Sequence, residues 1–294
     1  MIPTASVFHP DNPAYAAWRD AKLSAYPARS EDLLVEVADP RRLTPAEHEA
    51  LLARIRKANM AIYASPLGPR ADKAIPRLLG QQFDLTRLDS NLLADEDAIT
   101  TLTVAEQQSV KGEYIPYTNR PLRWHTDGYY NQAENGICAI LLHCVEAAVA
   151  GGENALLDHE IAYILLREQN PEHIRSLMGD AVMTIPPRLD ENGVARPAET
   201  GPVFATLPGG QLHMRYTART RSIAWQDTAA VRTAAAALDA IFNSASPYIF
   251  RARLEPGMGL VCNNVPHNRS GFTDAPERKR VLYRARYFDR IAGT

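Results

Sequence analysis

The sequence predicts a mainly β chain with a helical insertion, an α+β protein expected to form one domain over residues 1–294. Three observations lead there. Strand-like segments lie between Ala61 and Leu157 and again from Pro247 onward; helical periodicity dominates the stretch at about 159–245; and neither group of strands is a full set alone, so both should build one sheet system. A chain of 294 residues suits this reading, because β architectures with helical additions often reach that length as one unit.

The first clear element follows Thr44, where TPAEHEALLARIRKANM places Thr44 and Glu47 as a capping box, Pro45 at the first helical position, and Leu51, Ile55 and Ala58 along one face. Ala61–Tyr63 then reads as a short strand, followed by a turn at Pro66–Pro69. ITTLTV at Ile99–Val104 alternates and is β-branched, and Ile137–Val145 is an almost unbroken apolar run of strand length. AVAGGENALLDHE gives a glycine turn and a short strand, after which Asp158 can cap a helix with Ile161, Ile164 and Leu165 on its apolar side. Further helices are expected at about Glu172–Met178 and Thr228–Phe242, the latter capped by Asp227. The C-terminal third returns to β: PYIFRARL alternates, Pro256–Gly259 turns, Leu260–Asn263 is short and apolar, and Arg280–Phe288 alternates again.

Charge and composition exclude several function classes. A formal net charge of −2 leaves no clustered basic excess for a phosphate backbone, so nucleic acid is not an expected partner. No apolar run is long enough to span a bilayer, and the opening MIPTASVFHPDNPAYAAW lacks the basic and apolar regions of a signal peptide. Cys138, Cys144 and Cys262 are too few and too irregular for a disulfide framework or a thiolate metal site; they read as buried thiols, and the cytoplasm is the expected compartment. Composition leaves a homo-oligomer open.

The chemistry concentrates in three places. In Arg123-Trp124-His125-Thr126-Asp127, residues two apart on an extended backbone share a side, so His125 and Asp127 could share a metal. Taken alone the triplet is weak evidence, and a solvated or core-satisfied His125 is the better reading of it. A remote partner changes its weight: His267, in CNNVPHNRSGF, follows a short apolar strand, and two histidines with one carboxylate make the facial ligand set of non-haem iron oxygenases. In RVLYRARYF, alternation puts Arg280, Leu282, Arg284, Arg286 and Phe288 on one face, and a guanidinium turned inward needs a carboxylate to grip. Without more context an ordinary intramolecular ion pair, or an exposed face, is the better reading of that strand. His143, His159 and His213 read as core histidines and Trp124 as packing.

The order WHTDG, GGEN leading to LLDH, NNVPHNR and RKRVLYRARYF resembles the taurine dioxygenase (TauD/TfdA-like) family of iron(II) and 2-oxoglutarate oxygenases, over most of the chain. Asp127 and His267 lie 140 positions apart and Arg280 a further 13, in keeping with that family. The resemblance implies a double-stranded β-helix, a cupin-like jelly roll, with His125, Asp127 and His267 as iron ligands and catalytic centre. It implies 2-oxoglutarate and O2 as cosubstrates, with Arg280 on the far carboxylate and Arg284 near cosubstrate and substrate anions. Asn154 stands where the family often has Thr after the glycine pair, and its amide can still donate to a carboxylate. Arg278 is a rival for Arg280, since a two-residue shift would bring it into register.

The activity so implied is oxidation, by hydroxylation, of a small polar molecule, anionic or amino-acid-like, with release of succinate and CO2. Tyr114, Tyr117, Asn119, Tyr129, Tyr130 and the basic segment His213–Arg221 are the residues expected around its substrate, although the last reads equally well as a hairpin with surface arginines. Two other readings use parts of the same pattern. A metal-dependent hydrolase would keep the three ligands but have no use for an inward Arg280, and a non-catalytic jelly-roll binding protein would have no reason to keep both ligands and anchor intact.

Overall fold

The helix capped by Thr44 forms as its sequence dictates: it runs Pro45–Ala58, Glu47 N donates to Thr44 Oγ1, and the Glu47 carboxylate accepts from Thr44 N at 2.6 Å. The computed structural model describes residues 6–90, 95–106, 108–190, 193–219 and 223–294. These fold as two compact units, one from the described residues within 27–122, 137–156 and 250–294, the other from those within 6–26, 123–136 and 157–249.

The first unit is built on a six-stranded sheet in the order Leu34–Glu36, Met60–Ala64, Met258–Cys262, Ala139–Glu146, Val281–Tyr287, Thr100–Leu102. Only the first pair is parallel. One face carries Tyr63, Leu141, Val145, Val261, Tyr283, Ala285 and Tyr287, packed with Leu51, Leu52 and Ile55 of the capped helix and with Leu79 of the helix Ala74–Gln81. Alternation therefore turns Leu282, Arg284 and Arg286 to the opposite face. His143 lies fully buried on the helix-covered side, stacked on Tyr63 and hydrogen-bonded to its hydroxyl at 2.8 Å, a core histidine as its strand suggested. A second group of strands, Phe250–Ala252, Asn154–Leu156 and His267–Arg269, pairs antiparallel in this unit.

The second unit holds helices Tyr15–Leu23, His159–Gln169, Pro171–Leu177 and Ala229–Phe242. Asp158 caps the first of the central helices by accepting from Glu160 N. Its other carboxylate oxygen meets Lys22 Nζ at 2.7 Å, which ties the N-terminal helix to this cap.

Several expectations need correction. The stretch at about 159–245 is not helical throughout: seven short strands lie between Met183 and Trp225 among the described residues. Strands of two to four residues are too short to print a period on the sequence. The long helix begins one residue later than expected, with Thr228 as its cap, because Thr228 Oγ1 accepts from Val231 N whereas Asp227 pairs with Arg232. Ile99–Val104 and PYIFRARL contribute only Thr100–Leu102 and Phe250–Ala252, since each pairs with just three residues of its neighbour. Cys144 and Cys262 are buried thiols, but Cys138 is only half-buried.

Candidate metal and cosubstrate residues

In the second unit, His125 ends the strand Leu122–His125. Thr126 N donates to Tyr216 O, Ala218 N donates to Trp124 O, and His125 bridges Thr217 antiparallel, so the segment is held from one side by Tyr216–Ala218. Phe242 of the long helix stacks on both Trp124 and Tyr216, with ring centroids 4.9 Å apart in each case. Trp124 is packing, as expected. The result is a fixed imidazole: His125 Nδ1 is hydrogen-bonded to Arg123 O at 2.9 Å, which makes Nδ1 the protonated nitrogen and turns Nε2 outward as a lone-pair donor. Asp127 Oδ1 lies 3.6 Å from that Nε2, and both side chains are buried. Two donor atoms so spaced can occupy neighbouring positions around one ion at ordinary bond lengths of roughly 2.0–2.2 Å.

In the first unit, His267 opens a strand and repeats the same device, with Nδ1 hydrogen-bonded to Val265 O at 3.0 Å and the ring buried. Asn264, with φ +48° and its amide donating to Ile137 O at 2.6 Å, makes the left-handed turn that precedes it. Registers of His267 with Leu156 and Arg269 with Asn154 put the side chains of His267, Arg269 and Asn154 on one face. Asn154 is buried there.

The two arginines that competed for the anchor differ sharply. Arg278 is half-exposed and its Nε meets Glu146 at 2.9 Å. Arg280 is 6% exposed, and among the described residues its guanidinium makes no ion pair; its backbone N–H donates to Asp274 Oδ1 at 3.0 Å. Burial holds the Arg280 guanidinium below its ordinary value, and burial together with the charge of Arg280 brings Arg269 down to about 9. Gly151 and Gly152 both adopt positive φ; a Cβ on Gly151 would lie 2.2 Å from Gly271 O, and Arg280 Nε lies 3.4 Å from where a Cβ of Gly152 would be. The glycine pair thus makes the turn and leaves room for the guanidinium. Arg284 is buried and shares the Arg280 and Leu282 face of its strand.

Other expected residues resolve differently. Tyr117 is buried, with Lys111 Nζ over its ring at 5.5 Å from the centroid. Tyr129 and Tyr130 stand edge to face, centroids 5.2 Å apart, directly after Asp127-Gly128. Arg215, counted among the basic residues of His213–Arg221, donates to the carbonyls of Met183 and Gly201 and serves as a loop clamp. Thr220 and Arg221 of that segment lie outside the described residues. Phe272 and Asp274, which flank Arg280, carried no sequence signal, because an aromatic ring beneath a guanidinium has no spacing rule.

Comparisons with known proteins bear on the family and the fold. The chain is 32% identical over 173 residues to a uridine-5′-phosphate dioxygenase of an Amycolatopsis species, covering 56% of this chain and 60% of that protein. A uridine-5′-phosphate dioxygenase of a Streptomyces species is 31% identical over 208 residues, 65% of this chain and 69% of the relative. The structure of an asparagine oxygenase in complex with Fe(II), 3-hydroxyasparagine and succinate matches with a TM-score of 0.58 at 16% identity, over 95% of this chain and 85% of that one, and shows the fold to be shared. The mainly β, jelly-roll expectation stands on that likeness. Residues 36–286, a range that includes His125, Asp127, Asn154, His267, Arg280 and Arg284, match the family of the taurine catabolism dioxygenase TauD and TfdA, and the chain belongs to that family.

Proposed function

We propose that this chain is an iron(II)- and 2-oxoglutarate-dependent dioxygenase that oxidises a small anionic molecule, with nucleoside 5′-monophosphates as the first substrate class to test. The observation that carries the reading is the donor set: two buried histidines, each with Nδ1 fixed to a backbone carbonyl two residues earlier, and a buried carboxylate 3.6 Å from one of the Nε2 atoms. Two imidazoles and one carboxylate fit iron(II) and leave coordination positions for cosubstrate and oxygen. His125, Asp127 and His267 would hold the ion. An iron(II) ion held there would supply the chemistry that couples decarboxylation of 2-oxoglutarate to oxidation by O2, one oxygen atom entering succinate as CO2 leaves and the other entering the substrate.

What the chain's own residues contribute is position. Arg280 grips the far carboxylate of 2-oxoglutarate with its planar fork, relieving a buried charge that has no ion pair among the described residues. Asn154 donates its amide to the same cosubstrate, and Arg284, on the Arg280 face, supplies positive charge for cosubstrate or substrate anions. Burial of these groups keeps bulk water from the ligands. No side chain needs to act as a general base. The nucleotide class is suggested by the uridine-5′-phosphate relatives and by the two buried arginines, Arg280 and Arg284.

The test is succinate release with iron(II), 2-oxoglutarate and oxygen, comparing nucleoside 5′-monophosphates with aliphatic sulfonates and amino acids. Stimulation by nucleotides alone is the expected result. Stimulation by another class would replace the substrate, and no 2-oxoglutarate turnover with any candidate, iron being bound, would overturn the assignment.

A further inference from the structure

Arg269 makes a set of contacts that the proposed reaction leaves unexplained. It is 5% exposed, its Nη2 donates to Thr118 O at 2.8 Å and Arg120 O at 2.6 Å, and its Nη1 reaches Pro116 O at 3.5 Å. Its Nε is buried without a hydrogen-bond partner. The same backbone segment is fastened once more beside it, where Phe272 N donates to Asn119 O at 3.1 Å. Residues 116–120 are therefore held mainly through carbonyl oxygens, and one cation supplies most of the donors.

That cation has an unfavourable neighbour. The Arg269 and Arg280 guanidinium carbons lie 4.8 and 5.1 Å from the centroid of one ring, Phe272. The acidic group beside them, Asp274, spends one oxygen on Arg280 N and keeps the other buried without a hydrogen bond. Like charges removed from water repel strongly, and the carbonyl dipoles of residues 116–120 offset only the Arg269 side. A carboxylate gripped by Arg280 cancels the other half.

We infer that Arg269 is a positioning residue that couples occupancy of Arg280 by a carboxylate to the order of the segment Pro116–Arg120. With the anion in place the repulsion on Arg269 falls and its bonds to Thr118 and Arg120 tighten; without it the segment opens more often. This segment leads directly into the strand that carries His125, so cosubstrate binding stiffens the approach to a metal ligand before substrate arrives. The inference rests on the assignment of Arg280 to 2-oxoglutarate.

The test is hydrogen exchange of the Tyr117–Arg120 amides in the full chain with iron(II) under nitrogen, with and without 2-oxoglutarate, alongside calorimetric titration of 2-oxoglutarate. In the unaltered protein 2-oxoglutarate should slow these amides about fivefold or more. In Arg269→Ala the slowing should vanish while 2-oxoglutarate still binds, and Arg269→Lys, which keeps the charge and loses the fork, should fall between; if the alanine variant does not fold, the lysine variant carries the comparison. Equal slowing in the variants overturns the inference, as does an absence of slowing in unaltered protein that binds 2-oxoglutarate. No binding of 2-oxoglutarate by the unaltered protein overturns this inference and the functional assignment together.

Discussion

Single side chains carry the sharpest consequences. Arg280 and Arg278 lie two positions apart, yet one is buried without an ion pair among the described residues and the other is half-exposed against Glu146. Arg280→Ala should weaken 2-oxoglutarate binding about 10- to 100-fold, the worth of hydrogen bonds to a charged group, whereas Arg278→Ala should change it less than about twofold; calorimetric titration of both variants checks this. His143 makes a prediction about acid stability. Burial drives it down to about 4 from an ordinary value of 6.5, so it is neutral when folded and takes up a proton more readily when unfolded. A depressed folded value means that its contribution is complete above pH 6.5 and is lost as pH falls toward 4. Melting temperature should therefore decline between those limits, and His143→Gln, which can still accept from Tyr63, should flatten that decline; an unchanged slope would show that other groups set it.

Elements report how local a signal must be to be read. The Thr44–Glu47 box was legible because cap, carboxylate and amide fall within four residues, and Thr44→Ala should cost about 1 kcal/mol, a drop of about 2–4 °C in thermal melting. Asp227→Ala should leave melting within about 0.5 kcal/mol of the unaltered protein, since Thr228 does the capping. Asp158 was legible as a cap for the same local reason, but its pairing with Lys22 was not, because nothing in the chain near either residue names the other. Apart from the hairpin considered at His213–Arg221, the strands between Met183 and Trp225 were not legible, since two to four residues cannot show a period of two above chance. His125 and Asp127 were visible as a pair through their spacing, whereas the clamp of Arg269 on residues 116–120 was not, as its acceptors are carbonyls that every residue possesses.

For the whole molecule, a metal held by His125, Asp127 and His267 would stabilise the folded chain, because the unfolded chain does not bring these three residues together. Iron(II) at about 100 times its dissociation constant should add roughly 2.7 kcal/mol to stability, and a chelator should reverse the gain in thermal melting; no shift with iron shown to bind would mean that folded and unfolded chains hold it equally. No helix among the described residues is long and apolar enough to cross a membrane. The central claim, that His125, Asp127 and His267 hold iron(II) to which 2-oxoglutarate binds with Arg280 on its far carboxylate, is tested most directly by adding iron(II) and then 2-oxoglutarate to metal-free protein under nitrogen and recording the visible spectrum. A metal-to-ligand absorption band should develop in the unaltered protein, be absent in His267→Ala, and need about 10- to 100-fold more 2-oxoglutarate in Arg280→Ala. Iron bound at one equivalent with no such band at any 2-oxoglutarate concentration would contradict it.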